Sequence, residues 1–125
     1  MSQKKVLIAE DSSVIQNLTK KILQFQNFEI QSVKNGKELL ESVEKDTFDV
    51  ILLDINMPIM NGIEAVTELR KHADINKKNI PVIAITGNAA NHSVEYLKSV
   101  GFSEYLQKPL NFDHLVELVK KYTTN

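Results

Sequence analysis

The chain has 125 residues, 42% hydrophobic and 25% charged, with fifteen basic against sixteen acidic side chains and a formal net charge of −1. That is the size of one globular domain, expected over residues 1–125, and the charge balance gives no electrostatic reason to expect nucleic acid or an anionic membrane. Cysteine is absent, which excludes disulfides, thiolate metal sites and a thiol nucleophile. The N-terminus lacks a signal peptide's apolar stretch and no run approaches the ~20 apolar residues of a membrane span, so a cytoplasmic protein is expected.

Short β-rich apolar runs alternate with longer segments of helical period. Val6-Leu7-Ile8-Ala9 reads as the first strand. Val14, Leu18, Ile22 and Phe25, spaced four, four and three apart, predict a helix, and Ser13-Val14-Ile15-Gln16 has the form of a capping box at its start. A more polar second strand is expected near Phe28 to Val33. Asn35-Gly36-Lys37-Glu38 then opens a helix carrying Leu39, Leu40 and Val43. Val50 to Leu53 is the third strand, and Ile63, Val66 and Leu69 mark the next helix. Ile80 to Ile85 is the fourth strand, with Pro81 near its start, where a missing N–H is tolerated. A helix with a weaker stripe is expected from Ala89 to Val100. Tyr105-Leu106 forms the core of a short fifth strand, and Leu115, Leu118, Val119 and Tyr122 mark a last helix.

The alternation predicts an α/β fold: a doubly wound parallel sheet built from five βα units, covered on both faces. Right-handed crossovers leave few topologies, and the flavodoxin-like strand order 2-1-3-4-5 is expected. In such sheets ligands gather at the carboxyl ends of the strands, where the order reverses. There strand one ends in Glu10-Asp11, strand three in Asp54, strand four in Thr86 and Gly87-Asn88, and strand five runs into Lys108-Pro109.

Taken singly, Glu10 reads as a solvated loop acid, Asp11 as a helix cap, Thr86 as a strand hydroxyl and Lys108 as a loop lysine. Asp54 resists such a reading, because a charge ending a fully apolar strand needs a partner. Three carboxylates at one edge repel each other until a proton or a cation intervenes. An all-oxygen site with room for water suits Mg²⁺, and the Asn56 carbonyl offers a further ligand. A carboxylate beside such a cation can act as a nucleophile, and with a hydroxyl and a lysine around it the fitting electrophile is a phosphoryl group.

With the acidic pair after strand one, "DINMPIMNG" after strand three, "ITGNA" after strand four and "QKPL" after strand five, the chain resembles a receiver domain of the two-component response regulators, of the chemotaxis-regulator kind. The resemblance covers essentially the whole chain. It implies that Asp54 accepts a phosphoryl group from a histidine kinase or phosphotransfer protein. It further implies that Glu10, Asp11, Asp54 and the Asn56 carbonyl hold Mg²⁺, and that Thr86 and Lys108 contact the phosphoryl oxygens. It makes the protein a switch, not an enzyme acting on other substrates: it catalyses only its own phosphorylation and dephosphorylation. Lys108-Pro109 is expected to be cis. Tyr105 falls at the family's rotating switch position, against the simpler reading of a half-buried strand tyrosine. Phosphorylation would change the surface of the fourth helix, fifth strand and fifth helix.

Gly87 replaces a small alanine common in the family, and Asn56 and Asn88 occupy the positions that tune phosphoryl lifetime. "MPIMNG" and "ITGNA", with the long polar "KHADINKKNIP", resemble receivers of hybrid kinases or phosphorelays. No output domain is expected after Asn125. His72, His92 and His114 read as surface residues without metal-ligand spacing.

Three other functions compete. A phosphorylation-independent binding module would leave the five-residue site without a purpose. A flavodoxin-like cofactor binder would need a phosphate loop where Glu10-Asp11 stands. An aspartyl phosphatase of the best-known kind carries a D-x-D pair after strand one, whereas here the nucleophile candidate lies on strand three and reads Asp54-Ile55-Asn56.

Overall fold

The computed structural model describes residues 3–87 and 93–124. Five parallel strands, β1 (Lys5–Ala9), β2 (Glu29–Val33), β3 (Val50–Asp54), β4 (Val82–Thr86) and β5 (Glu104–Gln107), lie in the order β2-β1-β3-β4-β5. The helices are α1 (Ser13–Phe25), α2 (Gly36–Lys45), α3 (Gly62–Leu69), the short α4 (Ile75–Lys78), α5 (Val94–Val100) and α6 (Phe112–Thr123). The expected topology is therefore the observed one.

The period of two along each strand builds two separate cores. Val6 and Ile8, Val50 and Leu52, and Ile83 and Ile85 face α1 and α6, where Leu23, Leu115 and Val119 cover them. Leu7 and Ala9, Ile51 and Leu53, and Val82 and Ala84 face α2, α3 and α5, under Leu39, Val43, Val66, Leu69 and Leu97. Central β3 is buried along its whole length. Truncating Leu52 to alanine there would cost about 2–5 kcal/mol.

Several local expectations need correction. The cap of α1 is Ser12, whose hydroxyl accepts the Ile15 N–H; Ser13 and Gln16 form no capping box. Gln16 instead turns inward and donates to the carbonyls of Glu10 (3.0 Å) and Val33 (2.9 Å). Consequently the buried face of α1 is Gln16, Thr19 and Leu23, while Val14 and Phe25 are 77% and 89% exposed. The predicted apolar stripe was real, but most of it faces outward. Helix α1 ends in a Schellman motif: Asn27 has a φ of 71°, and Phe28 N–H reaches Leu23 O at 3.1 Å.

Asp54 belongs to β3 itself, and β4 begins two residues later than expected, at Val82. The polar segment before β4 contains α4, capped by the Asp74 side chain. The described part of the next helix is α5, so Asn88, Ala89 and His92 lie outside the described residues. The "fourth" and "fifth" helices of the sequence are thus α5 and α6. No helix among the described residues is long and apolar enough to cross a membrane.

At the amino end of the sheet, opposite Asp54, Arg70 closes α3. Its guanidinium meets no carboxylate among the described residues. It donates instead to the Gly101 carbonyl from Nε (2.9 Å) and Nη2 (2.7 Å), and from Nη1 to Lys78 O and Ile80 O, both at 2.7 Å. This single fork ties the carboxyl ends of α3, α4 and α5 to the start of β4.

Candidate active site

The carboxyl ends of β1, β3, β4 and β5 bring the predicted residues together. Glu10 and Asp54 are each only 1% exposed, whereas Asp11 and Asn56 are exposed. One carboxylate oxygen from each of Glu10, Asp11 and Asp54 lies within 4.8 Å of the others. Lys108 Nζ sits 2.9 Å from Asp54 Oδ2 and 3.2 Å from Glu10 Oε1. Asp54 Oδ1 accepts the Asn56 N–H at 2.9 Å. Thr86 is buried at the end of β4, one residue past the Asp54–Ile85 pairing, and its carbonyl accepts the Lys108 N–H at 2.8 Å. The Lys108–Pro109 bond is cis, as expected. Tyr105 sits on edge strand β5 and is 36% exposed.

This arrangement is electrostatically incomplete. Three carboxylates face one ammonium. Glu10 Oε2 accepts the Ser12 N–H at 3.1 Å, but Oε1 is buried and, despite the nearby Lys108, is not aligned to accept a hydrogen bond. Burial pushes the Glu10 carboxyl up to about 7, aided by its contact with Asp54 and opposed by the Ser12 N–H and Lys108. For Lys108, burial acts to lower the pKa, but the hydrogen bond and charge of Asp54, with Glu10, win and raise it. The ammonium therefore stays charged. A buried carboxylate oxygen with an ion-pair contact but no aligned hydrogen-bond donor, within reach of two further carboxylates, belongs to the donor set of a hard divalent cation.

Glycines set the close approaches around this site. A Cβ at Gly62 would lie 2.5 Å from the Asp54 carbonyl oxygen, and one at Gly36 would lie 2.8 Å from Met60 O. Gly87 is different: the nearest atom to its Cβ position is Lys108 Cδ at 4.0 Å. The loop from Asp54 to Gly62 contains a γ-turn, with Met60 N–H on Pro58 O at 2.7 Å and Ile59 at a φ of 70°. Sequence reasoning missed Gln16, Ser12 and Gly62 as supports of the site. Gln16 carried a usable signal, because it shares the three-then-four spacing of Thr19 and Leu23.

Of the histidines, His114 is exposed. His72 is partly exposed at the surface, where its Nδ1 accepts the Asp74 N–H and its Nε2 meets Glu44.

A fold of this order with this cluster at its switch point defines a signalling receiver. The family model for the response regulator receiver domain matches residues 6–120, so the chain belongs to that family. It is 37% identical over 124 residues to hybrid signal transduction histidine kinase I of Dictyostelium discoideum, covering 95% of this chain and 7% of that protein. Among solved structures it resembles the receiver domain of sensor histidine kinase PA1611 from Pseudomonas aeruginosa PAO1 (27% identity, TM-score 0.89, 99% and 100% of the two chains). That structure holds a magnesium ion in its active site cleft. It also resembles the chemotaxis response regulator CheY4 of Vibrio cholerae (30% identity, TM-score 0.87, 97% and 99% covered). The chain thus matches a small part of the hybrid kinase and nearly all of each solved receiver.

Proposed function

We propose that residues 1–125 act as one phosphorylation-dependent switch, with Asp54 as the phosphoacceptor and a histidine kinase or histidine phosphotransfer protein as the donor. The observation that carries this is the cluster itself: three carboxylate oxygens within 4.8 Å, with Lys108 bridging two of the residues. Glu10, Asp11, Asp54 and the Asn56 carbonyl would hold Mg²⁺, which supplies positive charge to oppose the three carboxylates and the incoming phosphoryl oxygens.

The chain's own residues do the rest. A carboxylate oxygen of Asp54 bonds to phosphorus while the phosphorus–nitrogen bond of the donor phosphohistidine breaks, and the electron pair leaves with the imidazole. The Asn56 N–H orients the Asp54 carboxylate. Lys108 gives its charge to the transferred group, and the Thr86 hydroxyl donates to one of its oxygens. Inward movement of Thr86 leaves room behind it for Tyr105, and the α5–β5–α6 surface changes. The domain is a switch and catalyses only its own phosphorylation and dephosphorylation. A cytoplasmic setting goes with nucleotide-fed kinases.

The donor has a surface to meet. Val14, Leu18 and Phe25 form an exposed apolar face on α1. Between α1 and the loop after Lys108, a cavity of ≈220 Å³ is lined by Ile15, Leu18, Lys108, Pro109, Leu110 and Phe112. An apolar helix face beside the reacting carboxylate fits the helical domain that carries a phosphohistidine.

The test is intact-mass measurement after incubation with Mg²⁺ and acetyl phosphate, at short time points. One added phosphoryl group is expected, absent in Asp54→Asn and absent without Mg²⁺. An unmodified wild-type protein at every time point would overturn the proposal in favour of a phosphorylation-independent binding module.

A further inference from the structure

On the α2–α3 face, away from Lys108 and the α1 surface, the two helices leave a groove of ≈440 Å³ between them, lined by Leu40, Met60, Ile63, Glu64, Thr67 and Glu68. Its floor is firm: Leu40, Met60 and Ile63 are half-buried and packed on the core beneath. Its rim carries two carboxylates and no basic side chain. Neither carboxylate is used up. Glu64 spends one oxygen on the Asn61 N–H, and Glu68 faces Lys71 at 3.6 Å with both side chains more than half exposed, a pairing worth little.

Shape and charge together select the occupant. Ile63, Glu64, Thr67 and Glu68 stand at i, i+1, i+4 and i+5, one stripe along α3, so the groove runs along that helix, with Leu40 facing it from α2. A furrow between two packed helices takes a third helix, whose side chains fill it at three- and four-residue spacing. An apolar floor with an acidic rim favours a helix that is apolar on one face and basic at its margins. We propose that the α2–α3 groove docks a basic amphipathic helix of a partner protein, with its apolar residues on Leu40, Met60 and Ile63 and its lysines or arginines against Glu64 and Glu68. This docking does not depend on phosphorylation of Asp54. The floor is nonetheless tied to that site: Met60 O accepts the Gly36 N–H at 2.9 Å, and Met60 lies in the loop that begins at Asp54.

The probe is a fluorescein-labelled helical peptide with leucines at i, i+3, i+4 and i+7 and lysines flanking them, titrated into unphosphorylated protein and followed by anisotropy. Amide chemical shifts in the same titration locate it. Saturable binding is expected, weakening as salt rises, with shifts concentrated in α2, α3 and Met60. Both Glu68→Lys and Thr67→Arg change exposed or half-buried rim positions, and each should weaken binding about tenfold while the amide spectrum stays folded. No saturable binding, equal affinity for a peptide with glutamates in place of the lysines, shifts centred on α1, or unchanged affinity in Glu68→Lys would each overturn the proposal.

Discussion

Replacing Gly62 with alanine puts a methyl group where the backbone of the phosphoacceptor strand already is. The added Cβ would stand 2.5 Å from Asp54 O, 2.9 Å from Ile55 Cα and 3.1 Å from Asp54 C. All three are main-chain atoms at the end of β3, where Ile55 N–H is held by Ile85 O at 3.0 Å, so no flexible side chain can yield. Overpacking of this kind costs about 1–3 kcal/mol. Gly62 is also the first residue of α3, where alanine would return about 0.5–1 kcal/mol of helix preference. The net loss expected is about 1–2 kcal/mol, or roughly 4–8 °C in Tm for a domain this size. Gly87→Ala is the control. Its Cβ meets only Lys108 Cδ, at 4.0 Å, so its Tm should stay within about 2 °C of the parent. Thermal unfolding by circular dichroism decides. A Gly62→Ala protein as stable as the parent, or a Gly87→Ala protein equally weakened, refutes the close-approach argument.

The Glu10 carboxyl sits at about 7 in the fold against an ordinary 4.5, so its stabilising share is fully present below pH 4.5 and lost as pH rises through 7. Without Mg²⁺, urea unfolding at pH 5 and pH 8 should show a fall on the order of 1–3 kcal/mol that Glu10→Gln largely removes. If the residues hold Mg²⁺ as proposed, adding it at pH 8 restores stability in the parent and little in Glu10→Gln. Arg70→Ala strips the donors from three carbonyls and should cost about 2–4 kcal/mol, and Arg70→Lys should recover less than half of it, because one ammonium cannot reproduce the fork. Ile59, 77% exposed and held at a φ of 70°, gives up almost no packing, so Ile59→Gly should stabilise the fold by about 1 kcal/mol in the same urea assay.

Legibility followed the range of the interaction. Strand order and the gathering of Glu10, Asp11, Asp54, Thr86 and Lys108 could be read early, because apolar runs and strand-end residues are local signals and the handedness of crossovers does the rest. Helix α1 shows the limit. Four apolar residues at helical spacing looked like a buried stripe, yet Val14 and Phe25 face outward, while Gln16 and Thr19 go inside. Gln16 is buried because two carbonyls, Glu10 O and Val33 O, receive its amide, and that compensation exists only once β1 and β2 are paired. The same holds for Gly62, whose need for a bare Cα arises from a strand end eight residues earlier in the chain. The short α4 was hidden because its stability rests on an Asp74 cap and on Arg70 reaching Lys78 O, not on an apolar face.

The Arg70 fork and the Asp54 cluster differ in their sensitivity to ionic conditions. At the Asp54 end the forces are between full charges, and acid, salt, cations or an added phosphoryl group all alter them. At the Arg70 fork a permanent cation meets, among the described residues, peptide dipoles and no carboxylate, and these neither titrate nor exchange counterions. Helix α5 has its carboxyl terminus fastened there, through Gly101, while its amino terminus points toward the charged end. Its carboxyl end is therefore anchored by contacts that keep their strength across the range of pH and salt in which the carboxylates around Asp54 change theirs.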